Sequence, residues 1–227
     1  MADPWDEIAV RYAAVGDDVR QQFLHPAILS MARGLRHRRR CLDFGCGPGG
    51  LAFSLVPHFD EVIAVDAAPA ALAQACARLG GRARVLDPSA FAVLSGVFDT
   101  IVLSLVLTTI PTDADATALL AQLAGRLEPD GQLLVGTTHP CFTFHALSQV
   151  AYRESCAPYV VPIEPGLDVT EYHRPLDSIV ALLADSGLRI VGTREVYDDA
   201  DYYRERGEEP HRFAGVLPMF MILVCSR

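Results

Sequence analysis

The sequence predicts one α/β domain built around a mostly parallel sheet. A length of 227 residues with 51% hydrophobic content suits a single large core better than two small ones. Short apolar runs typical of strands alternate with helical stretches, which indicates βαβ units and ligands bound beyond the carboxyl ends of the strands. Four glycines follow the first apolar run, at a place where bare backbone can approach a ligand closely.

The chain is expected to begin with a helical cap over residues 1–38. Apolar residues at helical spacing predict a short helix that includes Tyr12 and a second helix over residues 19–35, bent or restarted at Pro26. The basic run at residues 33–40 has two interpretations, a solvated helix end or a nucleic-acid-binding patch. A formal charge of −9 favours the helix end and a protein without a nucleic-acid partner, because nucleic-acid binders neutralise phosphates.

Five strands and two helices are predicted in the central part of the chain, residues 39–139. The predicted strands cover residues 41–44, 62–65, 84–86, 100–107 and 132–136, and the predicted helices cover residues 69–79 and 114–127. Thr112 suits the N-cap of the second helix, since acidic residues follow it in the first turn.

The remainder of the chain divides into an insertion and a C-terminal part. Residues 140–174 are expected to form an irregular, substrate-side insertion rich in aromatic residues. Residues 175–227 are expected to contribute a helix stopped by Gly187 and two last strands, over residues 188–196 and 218–225, with a polar loop between them.

Several classes of protein are disfavoured by composition. Six cysteines without CxxC pairs or zinc-site spacing argue against a disulfide framework and a structural metal, and favour a reducing compartment. The acidic N-terminus lacks an apolar signal core, and no apolar run is long enough to cross a bilayer. We therefore expect a cytoplasmic protein without a membrane partner. The chain contains no lysine, which excludes Schiff-base and Walker-type lysine chemistry.

The glycine-rich stretch at residues 41–50, CLDFGCGPGG, carries the functional prediction. Its spacing Gly45-x-Gly47-x-x-Gly50 fits a dinucleotide-binding fingerprint, and Asp66 lies near the customary distance for a ribose-binding acid. Asp43 and Asp66 also have structural interpretations, as a helix-capping carboxylate and as a turn former. The spacing of the glycines alone therefore does not identify which cofactor is bound.

The stretch LDFGCGPG resembles motif I of class I S-adenosylmethionine-dependent methyltransferases. The resemblance implies that Asp43 and the loop Gly45, Cys46 and Gly47 contact the methionyl part of the cofactor. It also implies that Asp66, in VIAVDAAP, binds both ribose hydroxyls. A carboxylate suits a diol because it can accept two charge-assisted hydrogen bonds.

Further motifs follow in the family's order over residues 41–135. RVLDPSAF resembles the segment beside the adenine, FDTIVLSLVL the fourth-strand motif, and LEPDGQLLV the turn into the fifth strand. The resemblance adds the cofactor-binding candidates Ala67, Asp87, Pro88 and Ser104. Tyr12 and Arg20, in the predicted N-terminal helices, are further candidates that would close over the cofactor. Packing for Tyr12 and a solvated surface position for Arg20 are the alternative interpretations.

The family fold implied by the resemblance is a three-layer Rossmann-like sandwich around a seven-stranded sheet whose last strand is antiparallel. Weaker similarity reaches the C-terminal strand, as in small-molecule methyltransferases of the ubiquinone and menaquinone type. Residues 103–106, LSLV, lack the Asn/Asp-Pro-Pro-Tyr/Phe signature, which disfavours base or protein-amide methylation. Catechol-type, metal-dependent relatives use a triad of acidic residues and asparagine. This chain contains no asparagine, so the triad is incomplete and no catalytic metal is expected.

Three histidines are the candidates for catalysis, of which His145, on the insertion, is the third choice. His139 directly follows the fifth predicted strand and is the first candidate for a general base, with His173 second. The alternative for His139 is a capping or packing role. Aromatic residues of the insertion would line a planar, apolar acceptor pocket or form the core of the segment that covers it.

The predicted function is methyl transfer from S-adenosylmethionine to O or N of a small, aromatic or heterocyclic acceptor, such as a secondary metabolite, by a monomer or homodimer. Two alternatives remain: an NAD(P)-dependent oxidoreductase and a non-catalytic cofactor-binding protein. An oxidoreductase would give no reason for an acid before the glycines, Asp43, or for an acid at the third strand, Asp87. A chain without lysine also lacks the Tyr-x-x-x-Lys catalytic pair.

Overall fold

The computed structural model describes residues 8, 19–143, 150–164 and 166–227. Tyr12 lies outside these residues, as does most of the predicted first helix, of which only Ile8 is described, in a helical conformation. Within the described ranges, no helix is long and apolar enough to span a membrane. The division of the chain at residues 38, 139 and 174 stays a prediction.

A seven-stranded sheet forms the centre of the structure, with the order β3-β2-β1-β4-β5-β9-β8. Its strands are β1 Arg40–Phe44, β2 Glu61–Val65, β3 Arg84–Leu86, β4 Phe98–Ser104, β5 Leu127–Thr138, β8 Arg189–Val196 and β9 Phe220–Ser226. The strands β1 to β5 pair in parallel, whereas β9 runs antiparallel to both of its neighbours, β5 and β8. The predicted topology is confirmed.

Helices cover both faces of this sheet. They are α1 His25–Arg33, preceded by a π-helical turn Arg20–Leu24, α2 Gly50–Leu55, α3 Pro69–Leu79, α4 Pro88–Val93, α5 Asp113–Ala124, α6 Pro140–Phe142, α7 Leu176–Asp185 and α8 Ala200–Glu205. As predicted, the N-terminal helix restarts beside Pro26, and the Thr112 hydroxyl caps α5 by accepting a hydrogen bond from the amide of Asp115.

Two apolar cores follow from the alternation of side chains along the strands. Leu42 of β1 packs in the core shared with α4, α5 and α7, whereas its neighbour Cys41 packs in the core shared with α1, α2 and α3. Successive strand residues point to opposite faces, and the central strand β4 is buried on both. The result is the predicted three-layer sandwich.

The insertion differs from the prediction of irregular structure. Strand β6 Ala157–Glu164 pairs antiparallel with β7 Leu167–His173 to form a hairpin, and these two strands pair only with each other among the described residues. Pro158 and Pro162 within β6 weakened the strand pattern in the sequence. The prediction of a polar loop between the last two strands was also incomplete. That segment contains the short helix α8, which is capped by Asp199.

The basic run ends a helix, as predicted, only with its first residue, Arg33. Helix α1 stops at Arg33, and the last arginine of the run, Arg40, opens β1. The Arg39 guanidinium lies 3.0 Å from the buried carboxylate of Asp99, and Arg40 Nε lies 2.7 Å from Glu61. These two arginines therefore bind carboxylates of neighbouring strands.

Candidate active site

A cavity of about 240 Å³ opens at the carboxyl ends of β1, β2 and β4. Its lining combines the glycine-rich loop, residues that follow β2 and β4, part of the N-terminal π-helical turn, and one residue of β7. The loops after adjacent parallel strands meet at one edge of the sheet, where α/β proteins bind ligands. The predicted residues that line it are Asp43, Gly45, Cys46, Gly47, Asp66, Ala67, Pro88, Ser104 and Arg20.

The glycine-rich loop leaves β1 in a backbone conformation that favours glycine. Gly45 has a φ of +77°, and a Cβ atom placed on it would lie 2.1 Å from Cγ2 of Val106. Its amide donates to the carbonyl of Val65 at 2.7 Å, which ties the loop to the end of β2. Gly47 has a φ of +53°, and a Cβ placed on it would meet nothing within 4 Å. The loop thus presents unobstructed backbone to the cavity.

Asp66 follows β2 and links two loops. Its carboxylate accepts hydrogen bonds from the amides of Gly47 at 2.8 Å and Ala68 at 2.9 Å. A carboxylate offers about four lone-pair positions, so these two bonds orient the group and leave acceptor capacity toward the cavity. The arrangement fits a ligand with two adjacent hydroxyl groups.

Asp43 is the most deeply buried acid of the cavity, with 1% of its surface exposed. The pKa of Asp43 is raised to about 7 by burial, the largest cause, and by the negative charge of Asp66. A hydrogen bond from the Ala52 amide partly opposes this rise. Asp43 Oδ2 and Ser104 Oγ are buried and have no hydrogen-bond partner in the described part of the chain. Buried polar atoms are normally paired, so the cavity wall suits a ligand with polar or cationic groups at this point.

Asp87 differs from the other predicted acids. Its Oδ1 atom caps α4 by accepting hydrogen bonds from the amides of Ser89 at 2.8 Å and Ala90 at 3.1 Å. The hydrogen bond from the Ser89 side chain, followed by these amide bonds, lowers the pKa of Asp87. The cavity is lined by the next residue, Pro88, and not by Asp87.

Leu105 is a strained residue at the end of β4 that the sequence did not reveal. Its φ is +58°, a conformation unfavourable for a side chain other than that of glycine or asparagine. This turn ends the strand at Ser104, three residues before the predicted boundary, and brings Leu105 and Val106 into the cavity lining. Strained backbone of this kind clusters at ligand sites.

The structure does not bring His139 to this cavity. His139 caps the short helix α6, where its Nδ1 accepts from the Cys141 amide at 3.2 Å, and its Nε2 lies 3.7 Å from a carboxylate oxygen of Glu195. Burial lowers the pKa of His139, and the charge of Glu195 opposes that effect. These contacts correspond to the capping alternative.

His173 also lies outside the lining of the cavity. Its Nε2 is 3.0 Å from the carbonyl oxygen of Tyr152, and burial lowers its pKa. It borders a separate void of only about 10 Å³ behind the hairpin. The structure therefore groups the predicted cofactor residues other than Asp87 and Tyr12, and it places neither His139 nor His173 with them.

Aromatic residues of the insertion pack among themselves and with nearby loops. Phe142 stacks edge-on against His211 at 5.3 Å between ring centres, and Tyr152 against His173 at 5.8 Å. Tyr159 is buried in the hairpin. None of these three lines the cavity, which corresponds to the core alternative for them. Phe144 and His145 lie outside the described residues.

Glu171 of β7 lines the cavity and was missed by the sequence reasoning. It accepts a short hydrogen bond from the Tyr159 hydroxyl, and Thr138 Oγ1 lies 3.5 Å from the same carboxylate oxygen. The sequence carried no clear signal for it, because its inward orientation is visible only in the structure, where the alternate residues Val169 and His173 are both 2% exposed. An acid between two buried positions of one strand face points inward.

Metal binding receives no support from the described residues, in which no three His, Cys, Asp or Glu side chains form a candidate metal site. The expectation of a metal-free reaction stays a prediction.

Comparisons with known proteins agree with the geometry of the cavity. A model of the methyltransferase domain matches residues 18–193. A comparison with curated proteins gives no match. Among solved structures, N-methyltransferase NodS from Bradyrhizobium japonicum, in complex with S-adenosyl-L-homocysteine, is 15% identical with a TM-score of 0.67, covering 98% of this chain and 97% of its own.

Two other solved structures share the fold. The amino pentose methyltransferase CalS10 from Micromonospora echinaspora, bound to S-adenosylmethionine, is 17% identical with a TM-score of 0.63 and coverage of 96% and 95%. An S-adenosylmethionine-dependent methyltransferase from Clostridium acetobutylicum is 14% identical with a TM-score of 0.64 and coverage of 99% for both chains. Because the family model spans most of the sequence and the fold agrees with it, the chain belongs to the class I S-adenosylmethionine-dependent methyltransferases.

Proposed function

We propose that this methyltransferase binds S-adenosylmethionine along the ends of β1, β2 and β4 and transfers its methyl group to nitrogen or oxygen of a small polar acceptor. The observation that carries the proposal is the continuity of one cavity from Asp43 and Asp66 to Glu171. Donor and acceptor must share a single water-poor space for an in-line displacement, and such alignment contributes roughly 7–11 kcal/mol in well-oriented systems.

Different residues of the cavity suit the ribose, adenine and methionyl parts of the cofactor. In the proposed complex, the Asp66 carboxylate binds the ribose hydroxyls, and Ala67 and Pro88 border the adenine. Asp43, the glycine loop and Ser104 bind the methionyl part, which carries an ammonium group complementary to the Asp43 carboxylate. S-adenosylmethionine supplies an activated methyl group on a sulfonium, and the protein aligns the acceptor with it.

The polarity of the acceptor is inferred from the lining outside the predicted cofactor-binding residues. That lining includes the polar residues Gln21, His25, Thr109 and Glu171 beside the apolar residues Leu105 and Val106, and the described aromatic residues of the insertion lie elsewhere. The polar side chains, and above all the carboxylate of Glu171, support a polar acceptor rather than the aromatic one expected from the sequence. Two of the structural neighbours are named for N-methylation and for an amino pentose acceptor.

The cofactor is tested by thermal unfolding of the purified protein with S-adenosylhomocysteine, NAD or NADP. Binding to the native state raises stability, by about 2.7 kcal/mol at a ligand concentration of 100 Kd. We expect stabilisation by S-adenosylhomocysteine alone, and equal stabilisation by NAD or NADP would favour the oxidoreductase. A release assay for S-adenosylhomocysteine over matched polar and aromatic acceptors then tests catalysis, and cofactor binding without any turnover would favour the non-catalytic alternative.

A further inference from the structure

Glu171 and Tyr159 are direct cross-strand partners in the β6–β7 hairpin. Tyr159 is 2% exposed, and its hydroxyl donates to Oε2 of Glu171, with which Thr138 also makes contact. A buried donor aimed at one carboxylate oxygen fixes the orientation of the whole group. The hairpin thus holds an oriented carboxylate at the wall of the cavity.

The pKa of Glu171 is raised overall, because the effect of burial outweighs several opposing effects. Burial raises the pKa of Glu171, while hydrogen bonds from Tyr159, Thr108 and Thr138 and the positive charge of Arg20 lower it. These groups face the carboxylate from β6, the turn after β4, β5 and the N-terminal π-helical turn. Tyr159 remains a donor because burial, together with the charge and hydrogen bond of Glu171, raises the pKa of its phenol.

We propose that Glu171 binds a protonated amine of the acceptor and removes the proton that this amine must lose before it is methylated. The inference rests on the proposed function and specifies its acceptor as an amine. Glu171 would be a catalytic residue, since it touches the reacting nitrogen, whereas Tyr159 would be a positioning residue that acts through it.

An amine is favoured over an alcohol by the strength of a carboxylate as a base. An alkylammonium group like that of lysine has a pKa of about 10.4, a few units above neutrality. A hydroxyl resembles water, with a pKa of about 15.7, too far from that of any carboxylate for efficient proton transfer. An ammonium group is also attracted by the charge of Glu171 before the reaction begins.

The proposed step balances as follows. The carboxylate of Glu171 accepts one proton from the ammonium, which leaves a neutral amine with a free electron pair. That pair forms a bond to the methyl carbon of the cofactor while the carbon–sulfur bond breaks, and its electrons stay on sulfur in S-adenosylhomocysteine. The product is a methylated ammonium ion, and the proton on Glu171 returns to solvent.

The proposal is tested first by binding to the full-length protein saturated with S-adenosylhomocysteine. The probes are two matched pairs, cyclohexylamine with cyclohexanol and D-glucosamine with D-glucose, measured by calorimetry at neutral pH. We expect at least one amine to bind more tightly than its alcohol. In Glu171→Gln this preference should fall about 10- to 100-fold, the scale of hydrogen bonds to a charged group.

Matched variants separate the carboxylate from the fold of the hairpin. Asp168→Asn removes an exposed carboxylate from the same strand and should leave the preference unchanged. Glu171→Asp keeps the charge and should retain part of the preference, even where Glu171→Gln is less stable. Because its hydrogen bond lowers the pKa of Glu171, Tyr159→Phe should raise the pH at which the amine preference disappears on acidification.

The outcomes distinguish this inference from the proposed function. Binding of S-adenosylhomocysteine without any preference for amines, or an undiminished preference in Glu171→Gln, would overturn the role of Glu171 and leave the methyltransferase assignment standing. Failure of the wild-type protein to bind S-adenosylhomocysteine would overturn both. For an amine that is methylated, Glu171→Gln should lower kcat by about 10²–10⁴, and an unchanged kcat would contradict the proton-transfer role.

Discussion

The carboxylates of Asp43 and Asp66 interact across two adjacent parallel strands, and the charge of Asp66 adds to the effect of burial in raising the pKa of Asp43 to about 7. In the unfolded chain this carboxyl titrates near pH 4. Between these two pH values the native protein therefore holds a proton that the unfolded chain has lost.

The first prediction concerns this proton. Linkage requires the contribution of Asp43 to stability to fall as pH rises from about 4 to about 7 and to stay constant above that range. Asp43→Asn removes the titration, so the stability of this variant relative to wild type should rise through the same range. Urea unfolding of both proteins at several pH values measures the difference, and a difference independent of pH would contradict the raised pKa.

The second prediction concerns Asp66. Asp66→Ala should weaken S-adenosylhomocysteine binding by about 1.5–3 kcal/mol, the scale of hydrogen bonds to a charged group, while the fold is retained. Asp60→Ala removes an exposed acid just before β2 and serves as the control. Calorimetry measures both affinities, and an unchanged affinity in Asp66→Ala would remove the residue from the ribose-binding role.

A third prediction separates steric and conformational roles of Gly45. Gly45→Ala should weaken cofactor binding strongly, since its Cβ would overlap Val106 in addition to the strain of a positive φ. Val106→Ala in the same chain should restore part of the loss. Gly207→Ala, at a φ of +73° with open space around it, should cost about 1–2 kcal/mol of stability, the cost of the left-handed conformation alone. No rescue by Val106→Ala would show that backbone conformation alone requires the glycine.

The fourth prediction concerns the attachment of the hairpin. The side chain of Arg174 is 2% exposed and donates to Asp113 at 2.8 Å and to the carbonyls of Leu107 and Ile110 at 2.7 Å and 2.8 Å. Arg174→Met should cost about 1–3 kcal/mol in thermal or urea unfolding, because it leaves the buried carbonyl of Leu107 without a hydrogen-bond donor. Arg204→Met breaks an exposed pair and should change stability by less than about 1 kcal/mol. Equal effects of both substitutions would contradict the anchoring role.

The fifth prediction decides between the two interpretations of His139. As a general base it would require His139→Ala to lower kcat by about 10²–10⁴. Its contacts with Cys141 and Glu195 favour instead a kcat within threefold of wild type and a loss of about 0.5–2 kcal/mol of stability, the cost of a lost cap. Kinetics and unfolding of the same variant settle the question, with affinity for S-adenosylhomocysteine as the control.

The sheet and the cofactor side were predictable because their signals are local. Apolar runs fix the buried strands, and Gly45, Gly47 and Asp66 are recognisable from spacing within one βαβ unit. Asp87 illustrates the limit of such reasoning: its position after β3 was right, but its carboxylate caps α4. A short sequence motif does not specify which way an acid points.

The acceptor side was less predictable because it depends on pairing between distant segments. Tyr159 meets Glu171 only when β6 folds onto β7, and His139 turns toward Glu195 because β8 lies beyond β9 in the sheet order. Each histidine is a candidate only because of its place along the chain. Orientation around a strand end depends on tertiary contacts that the sequence pattern does not encode.

The separate pairing of β6 with β7 has a consequence for how this enzyme can diversify. The hairpin carries Glu171, yet among the described residues it shares no strand pairing with the seven-stranded sheet and is held by side chains such as Arg174. Substitutions in the hairpin can therefore change the proposed acceptor side of the cavity, while the register of the sheet that positions Asp43 and Asp66 is preserved. The two halves of the reaction are supported by parts of the chain that can evolve at different rates.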